Sequence, residues 1–314
     1  EMGVDAMRWV FCLQNPAANI SFGPRVVEDA RRQFLIPLWN IYSFFVTYAR
    51  IDGYDPRTEA PTLQDRPELD RWIISELNGL VIEVTAALDR YEPETAAHAF
   101  EDFVGYLSNW YVRRSRRRFW KSDQDQDKLS AYSTLYECLV SLTKLLAPFV
   151  PFSTEEMYQN LVGSVNGEHQ SVHLVSWPAS DMSRVDRRLS EATRLAMRLS
   201  SLGRAARSKA GIKVRQPLEA ARFKLRSENE TELLETVAPQ IKEELNVKYV
   251  AVLQEEAEVV DFKARPNMVN VGPKYGADSQ VVASALAAAD AQEVSASVDV
   301  GRAVAVGGFE LTPD

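Results

Sequence analysis

Between Gly23 and Ala147 the chain repeats one pattern: apolar residues three and four apart, broken by short polar stretches. The first segment, 23–51, carries Val27, Phe34, Leu38, Ile41, Phe45 and Tyr48 at this spacing, which predicts an amphipathic helix. Pro37 inside it predicts a kink, because proline lacks the backbone donor and its ring collides with the preceding turn. The stretch DGYDPRTEAPTLQDRPE is dense in Pro, Asp and Gly and predicts a loop. A second helix is expected from Leu69 to Tyr91, with Trp72, Leu77, Leu80, Val84 and Leu88 on one face. Pro93 suits the first turn of a third helix that runs to Trp120. KSDQDQD is the next break, and Leu129–Ala147 reads as a fourth helix stopped by APFVPF. Ser153, with Glu156 three residues on, reads as a capping box that opens a fifth. Long helices with short joints predict a mainly α fold, an up-and-down antiparallel helical bundle.

A chain of 314 residues has room for two domains. No apolar stretch is long enough to span a bilayer. EMGVDAMRWVFCLQ has no basic region before its short apolar part, so it does not read as a signal peptide. Cys12 and Cys138 each stand alone in an apolar setting, which predicts buried thiols in a reducing, cytoplasmic compartment. With no CxxC pair and only His98, His169 and His173, no zinc site is expected in this chain. His169 and His173 have helical spacing but lie in a polar, Gly-containing stretch, where two solvated loop histidines are the simpler reading.

After VHLVSWP the character changes. Residues 184–215 read as a helix with ten basic residues opposed only by Asp186 and Glu191, a net charge of +8. ARFKLR, NETELLETVAPQIKEEL and NVKYVAVL then read as strand, helix and strand, a small α/β unit. VVDFKARPNMVNVGPKYG and VSASVDVGRAVAVGGFEL read as short strands and turns around one Ala-rich helix at 278–291. The expected organisation is a leading segment over 1–25, a helical bundle over 26–180, and a basic helix with a small α/β domain over 181–314. The last residues read as a strand and turn, so the chain can continue past Asp314.

The chain carries a formal net charge of −8, yet NWYVRRSRRRFWK, residues 109–121, concentrates six Arg and Lys residues among large rings. On an ideal helix of 100° per residue, Phe100, Phe103, Leu107, Trp110 and Tyr111 form one core-facing stripe. Arg114 and Arg118 fall on that stripe, where they are expected to pair with a carboxylate or cap carbonyls inside the bundle. Arg113, Arg116 and Trp120 fall on the opposite side, with Arg117 at its edge and Lys121 just beyond. Guanidinium groups beside an exposed aromatic suit a phosphate backbone and an unstacked base. A solvated basic face is the simpler alternative for such a run. Local positive charge held against a negative total favours a defined anionic partner, and RNA fits both features. In the second basic segment Gly211 is expected to end the helix. Pro217 then favours an extended Gln216, and strand alternation would put Lys213 and Arg215 on one side of a short connector. With Lys209, these two form a second set of candidate RNA contacts.

The segments PLWNIYSFFVTYARIDGYDP, DRWIISELNGLVIEVTAALDRYE, FEDFVGYLSNWYVRRSRRRFW and LAPFVPFSTEEMYQNL resemble the anticodon-binding helical domain of class I aminoacyl-tRNA synthetases. Within that class they most resemble the isoleucine-specific family, of the type found in eukaryotes and some bacteria. GIKVRQPL and RPNMVNVGPKYG are similar to the family's C-terminal junction region, and GVDAMRWVFC to the segment after its KMSKS loop. The resemblance covers nearly the whole chain, in the family's order. It implies a part that binds tRNA, in cis with a catalytic domain that uses ATP with Mg²⁺ to charge the isoleucine tRNA, in a monomer. The HIGH and KMSKS signatures are absent from these residues. The resemblance therefore implies that this portion is inactive alone and that any zinc site lies outside it. The alternatives are the same portion of a valyl- or leucyl-tRNA synthetase and a non-enzymatic helical module that docks an acidic protein.

Overall fold

The computed structural model describes residues 3–123, 125–166, 170–253, 266–299 and 301–312. The chain forms two compact units, Glu1–Arg198 and Leu199–Asp314. The first is a helical bundle and the second a smaller mixed α/β unit, as the periodicity predicts.

The bundle opens with α1, Val4–Cys12. A long helix follows as α2, Pro24–Ala30, a π turn, Arg31–Leu35, and α3, Ile36–Asp52. The expected kink at Pro37 takes the form of this π turn. Widening the turn just before the proline makes room for its ring, and the Ile36 N–H donates to the Arg31 carbonyl across the wider turn. α4 (Glu68–Asp89) is joined by a three-residue turn to α5, Pro93–Tyr106. A second π turn, Leu107–Val112, leads into α6, Arg113–Trp120. α7 (Gln126–Leu146) and α8 (Pro151–Tyr158) follow, and a third π turn, Gln159–Gly163, leads to α9, Ser164–Asn166. The stripe expected on the third helix is the core: Phe100, Phe103, Leu107, Trp110 and Tyr111 are all buried.

The leading segment is part of this core. Trp9 of α1 is fully buried and stacks on Phe34 at 3.8 Å between ring centroids. Phe100 and Phe149 close around it at 6.3 and 6.1 Å. Arg8 donates to the carbonyls of Pro148 and Phe149, which ties α1 to the end of α7.

The capping box expected at Ser153 does not form. α8 starts at Pro151, two residues earlier, with Val150 at the cap. Asp5 of α1 caps it from across the fold, accepting from the Ser153 backbone N–H at 2.7 Å and the Ser153 hydroxyl at 2.6 Å. A carboxylate at that position meets both the open donors and the positive end of the helix.

α10, Arg187–Lys209, begins in the first unit. There Ser75 accepts from the Asp186 backbone N–H at 2.8 Å and Arg194 pairs with Glu76 at 2.9 Å. In the second unit, β1 (Leu218–Phe223) and β2 (Val247–Val252) pair in parallel, Leu218 opposite Val247 and Phe223 opposite Val252. A parallel pair needs a crossover, and α11, Glu228–Leu245, supplies it, burying Leu233, Val237 and Ile241. Gly203 lets α10 approach this helix closely, since a Cβ there would overlap Leu245.

Two expected strands are helices. Within RPNMVNVGPKYG, MVNVGPKY forms α12, Met268–Tyr275, opened by the Asn267 side chain, which accepts from the Val269 N–H. Pro273 sits inside it, so the Gly and Pro content that suggested turns is absorbed by one short helix. The Ala-rich helix is α13, Ser279–Ala288. VSASVD belongs to α14, Ala291–Asp299, where Ser297 turns its hydroxyl back onto the Glu293 carbonyl at 2.9 Å. VAV and FEL do form strands, β3 (Val304–Val306) and β4 (Phe309–Leu311), an antiparallel hairpin about Gly307–Gly308. The expected strand within VVDFKAR and the expectation for His169 lie outside the described residues. No described helix is long and apolar enough to cross a membrane.

Asp5→Ala is expected to destabilise the first unit by about 1–2 kcal/mol, the cost of a lost helix cap. Glu156→Ala, which would remove the capping box, should change the urea midpoint by the equivalent of about 0.5 kcal/mol or less. Equal losses would restore the capping box.

Candidate nucleic-acid interface

The basic run is split by burial. Tyr111, Ser115 and Phe119, four residues apart, are buried, while Arg113, Arg116, Arg117 and Trp120 share the exposed face. Trp120 is 55% exposed, unusual for so large an apolar ring. Among the described residues the side chains of Arg116 and Arg117 have no hydrogen-bond or ion-pair partner. Arg113 is held back on its own helix, donating to the Asn109 carbonyl at 2.8 Å and lying 5.7 Å from the Trp110 ring centre. Arg114 is half-buried with its guanidinium over the same ring at 5.2 Å.

Arg118 anchors the helix. It makes two hydrogen bonds to Asp70, at 2.6 and 2.7 Å, and a third to the Asp127 carbonyl at 2.8 Å. Its Nε lies 2.8 Å from the Asp127 carboxylate. Asp70 is fully buried and also accepts from the Tyr111 hydroxyl at 2.8 Å. Burial opposes the charge on Arg118, but the hydrogen bonds and charge of Asp70 outweigh it and push its pKa up. Burial, and then the Asp70 charge, push the Tyr111 phenol well above its ordinary value, so it stays a donor. The carboxylate partner expected for Arg118 is thus Asp70, a residue that local pattern does not single out.

Lys121 is already matched: its ammonium lies 2.6 Å from Asp125 and 2.9 Å from Asp127. A phosphate would have to displace these carboxylates, so its charge is less available than that of Arg116 or Arg117. The joint between α6 and α7 is fixed from below by Lys128, which is 1% exposed. Its ammonium donates to the Lys121 carbonyl and pairs with Asp52, both at 2.7 Å. Tyr132 also donates to Asp52. Burial opposes ionisation of Asp52, yet Lys128 and Tyr132 hold its carboxyl below the usual range. Sequence reasoning missed Asp70 and Lys128, although each carried a signal. Asp70 precedes Ile73, Ile74 and Leu77 on the apolar stripe of α4, and Lys128 precedes Ala131, Tyr132 and Leu135 on that of α7. A charge on a buried stripe implies a buried partner.

About half of the second basic segment is matched as well, with Arg187 and Arg188 exposed and without a side-chain partner among the described residues. Arg184 pairs with Glu137 at 2.6 Å and Arg204 with Glu244 at 2.6 Å. Arg207 is buried and donates to the carbonyls of Lys213, Leu245 and Asn246. Gly211 ends the helix as expected, with φ at 70° and Ile212 donating back to the Arg207 carbonyl. The connector beyond it is not extended. Gln216 donates to the Lys213 carbonyl at 3.0 Å, closing a turn, so the alternation argument for Lys213 and Arg215 fails. Arg207 and Asn246 hold the Lys213 and Val214 carbonyls and bend the chain there. Lys209, Lys213 and Arg215 are nevertheless all exposed, without a side-chain partner among the described residues.

Residues 70–222 match the family described as the anticodon-binding domain of tRNA ligase, which defines the class of protein. An isoleucine–tRNA ligase of Dehalococcoides mccartyi is 55% identical over 252 residues, 80% of this chain and 25% of that protein. The Thermus thermophilus isoleucine–tRNA ligase is 44% identical over 279 residues, 88% of this chain and 27% of that protein. That of Deinococcus radiodurans is 41% identical over 318 residues, 100% of this chain and 29% of that protein. The chain belongs to the isoleucine–tRNA ligase family and spans about a quarter of the length of the first of these relatives. The isoleucine-specific resemblance agrees with these relatives, and the valyl and leucyl alternatives are not favoured.

Arg118→Ala leaves the Asp70 carboxylate buried without its cation and is expected to cost about 3–5 kcal/mol in urea unfolding. Arg116→Ala should stay within about 0.5 kcal/mol. A second outcome follows from Asp52, whose pKa is depressed in the folded state. Its contribution is present above its unfolded pKa and lost as pH falls through the folded value. The stability difference between wild type and Asp52→Asn should therefore shrink as pH falls below 3.8, the ordinary Asp value. A gap that stays constant in acid would remove Asp52 from the pH response.

Proposed function

We propose that this chain binds and positions the anticodon arm of the isoleucine tRNA for a parent enzyme that joins isoleucine to that tRNA using ATP with Mg²⁺. The observation that carries the reading is the exposed face of α6. Two unmatched guanidinium groups, Arg116 and Arg117, flank a ring, Trp120, that is more than half exposed. Arginine forks suit phosphate oxygens, and an exposed indole offers a base a stacking surface. Arg113 extends this face. Lys209, Lys213 and Arg215 form the second contact set, and Lys121 contributes only if it leaves Asp125 and Asp127. Activation of isoleucine with ATP is assigned to the rest of the parent polypeptide, acting in cis in a cytoplasmic monomer. Membership of the isoleucine–tRNA ligase family supports the choice of tRNA.

The test is affinity for isoleucine tRNA against salt concentration. Each phosphate contact removed should lower the slope of log affinity against log salt by about one. Arg116→Ala with Arg117→Ala should lower it by about two while leaving the unfolding midpoint in place. Trp120→Ala should weaken binding by about 1–3 kcal/mol without changing the slope. A wild-type chain that binds bulk RNA and isoleucine tRNA equally would overturn the reading. So would one that binds an acidic protein and no RNA.

A further inference from the structure

In the second unit a cavity of about 420 Å³ lies between the C-terminal part of α10 and the β1–β2 pair. Leu202, Ala206 and Ile212 line it on one side, and Leu218, Ala220 and Val247 on the other. Leu218 and Val247 are paired in register, and strand alternation puts Ala220 and Arg222 on the same face as Leu218. The volume falls in the range of small-ligand pockets, about 300–1,000 Å³.

The lining carries two charged side chains among the described residues, Arg207 and Arg222, and both are cations. Arg207 is 4% exposed, and arginine is almost never buried this deeply without a carboxylate. Its hydrogen-bond partners among the described residues are backbone carbonyls alone: Lys213 at 3.1 Å, Leu245 at 2.6 Å and Asn246 at 3.2 Å. Leu245 is the last residue of α11, so the guanidinium also meets the negative end of that helix, about half an elementary charge. Part of its charge is therefore uncompensated where burial makes that costly. Of the five N–H donors on a guanidinium, those bonds leave one on Nη1 and the Nε–H. Arg222 is exposed at the rim, without a side-chain partner among the described residues.

Among the described residues no side chain on this lining is a hydrogen-bond acceptor. A ligand there gains from an anionic head and an aliphatic body. A zwitterionic amino acid does not fit, because its ammonium would be buried without a partner. We infer that this cavity binds a small aliphatic monocarboxylate. The carboxylate takes the remaining donors of Arg207 and supplies its missing counter-charge, with Arg222 as a second cation at the rim. The alkyl chain lies against Ala206, Ala220 and Val247, where it removes apolar surface from water. The site is separate from the proposed RNA contacts, since none of Lys209, Lys213 and Arg215 lines it.

The experiment is calorimetric titration of the full chain with decanoate, below its micelle concentration. Saturable binding at one site per chain is expected. Decyltrimethylammonium, an alkyl chain of the same length with the opposite charge, should not bind, and neither should isoleucine. Ala206→Trp fills the cavity from an exposed position on its lining and should abolish decanoate binding with the thermal unfolding midpoint unchanged. Arg222→Ala should weaken binding by up to about 5-fold, the worth of an exposed ion pair. Arg207→Met should weaken it about 10- to 150-fold, the loss of hydrogen bonds to a charged group, and Arg207→Lys should recover part of that loss. If Arg207→Met lowers the unfolding midpoint, Ala206→Trp and Arg222→Ala decide the outcome, since both sit at exposed positions. A wild-type chain that does not bind decanoate would overturn the inference and leave Arg207 as a helix cap. So would decanoate binding that survives Ala206→Trp, or equal binding of decanoate and decyltrimethylammonium.

Discussion

Asp70 is a carboxylate with no exposed surface, and the exposed face of α6 depends on how it is satisfied. A lone buried charge is prohibitive, and a buried pair breaks even only when its geometry is good and its remaining lone pairs are filled. Arg118 supplies two parallel hydrogen bonds and Tyr111 a third. Tyr111 and Arg118 stand seven residues apart, two helical turns, so meeting one carboxylate fixes the rotation of α6 about its axis. Once that rotation is fixed, Arg116, Arg117 and Trp120 have one place to point. An apolar residue at position 70 would satisfy packing but would set the helix less uniquely. The same device recurs at Lys128, whose ammonium fixes the joint after α6 through Asp52 and the Lys121 carbonyl.

Most of the bundle was legible because its signal is local. Helical spacing from Gly23 to Leu146 reports which face is buried, and burial follows it through Phe34, Phe100, Leu107 and Tyr111. The division of the basic run into an inward and an outward set was legible for the same reason. The strand, helix and strand after residue 217 were legible from their alternation and length. What escaped was set from a distance. Asp5 caps a helix 148 residues away, so the nearer Ser153 took the assignment. Asp70 meets Arg118 across 48 residues. α12 and α14 escaped for a different reason: Pro273 and the serines of VSASVD are poor helix formers, and neither helix carries an apolar stripe long enough to outweigh them.

A count of charges overstated the second basic segment because it could not see partners. Arg184, Arg194 and Arg204 face Glu137, Glu76 and Glu244, and Arg207 faces three carbonyls. A cation already matched to a carboxylate offers an RNA phosphate only the difference between two similar interactions. It also holds few counterions to release, and counterion release supplies most of the salt-dependent affinity for nucleic acid. The useful quantity is therefore unmatched exposed charge. By that measure the long helix contributes less than its sequence suggests, keeping Arg187, Arg188 and Lys209, and the turn after it adds Lys213 and Arg215.

The acidic total then has a role of its own. At physiological ionic strength fields decay over about 8 Å, so an approaching polyanion meets local charge rather than the sum. In the proposed reading the encounter becomes favourable where unmatched cations are exposed, on α6 and in the turn after α10. A protein that was basic throughout would hold any RNA in many orientations. In the proposed reading, a fixed face on α6 makes affinity depend on shape, because a strand that presents phosphate and an unstacked base together would satisfy Arg116, Arg117 and Trp120 at once.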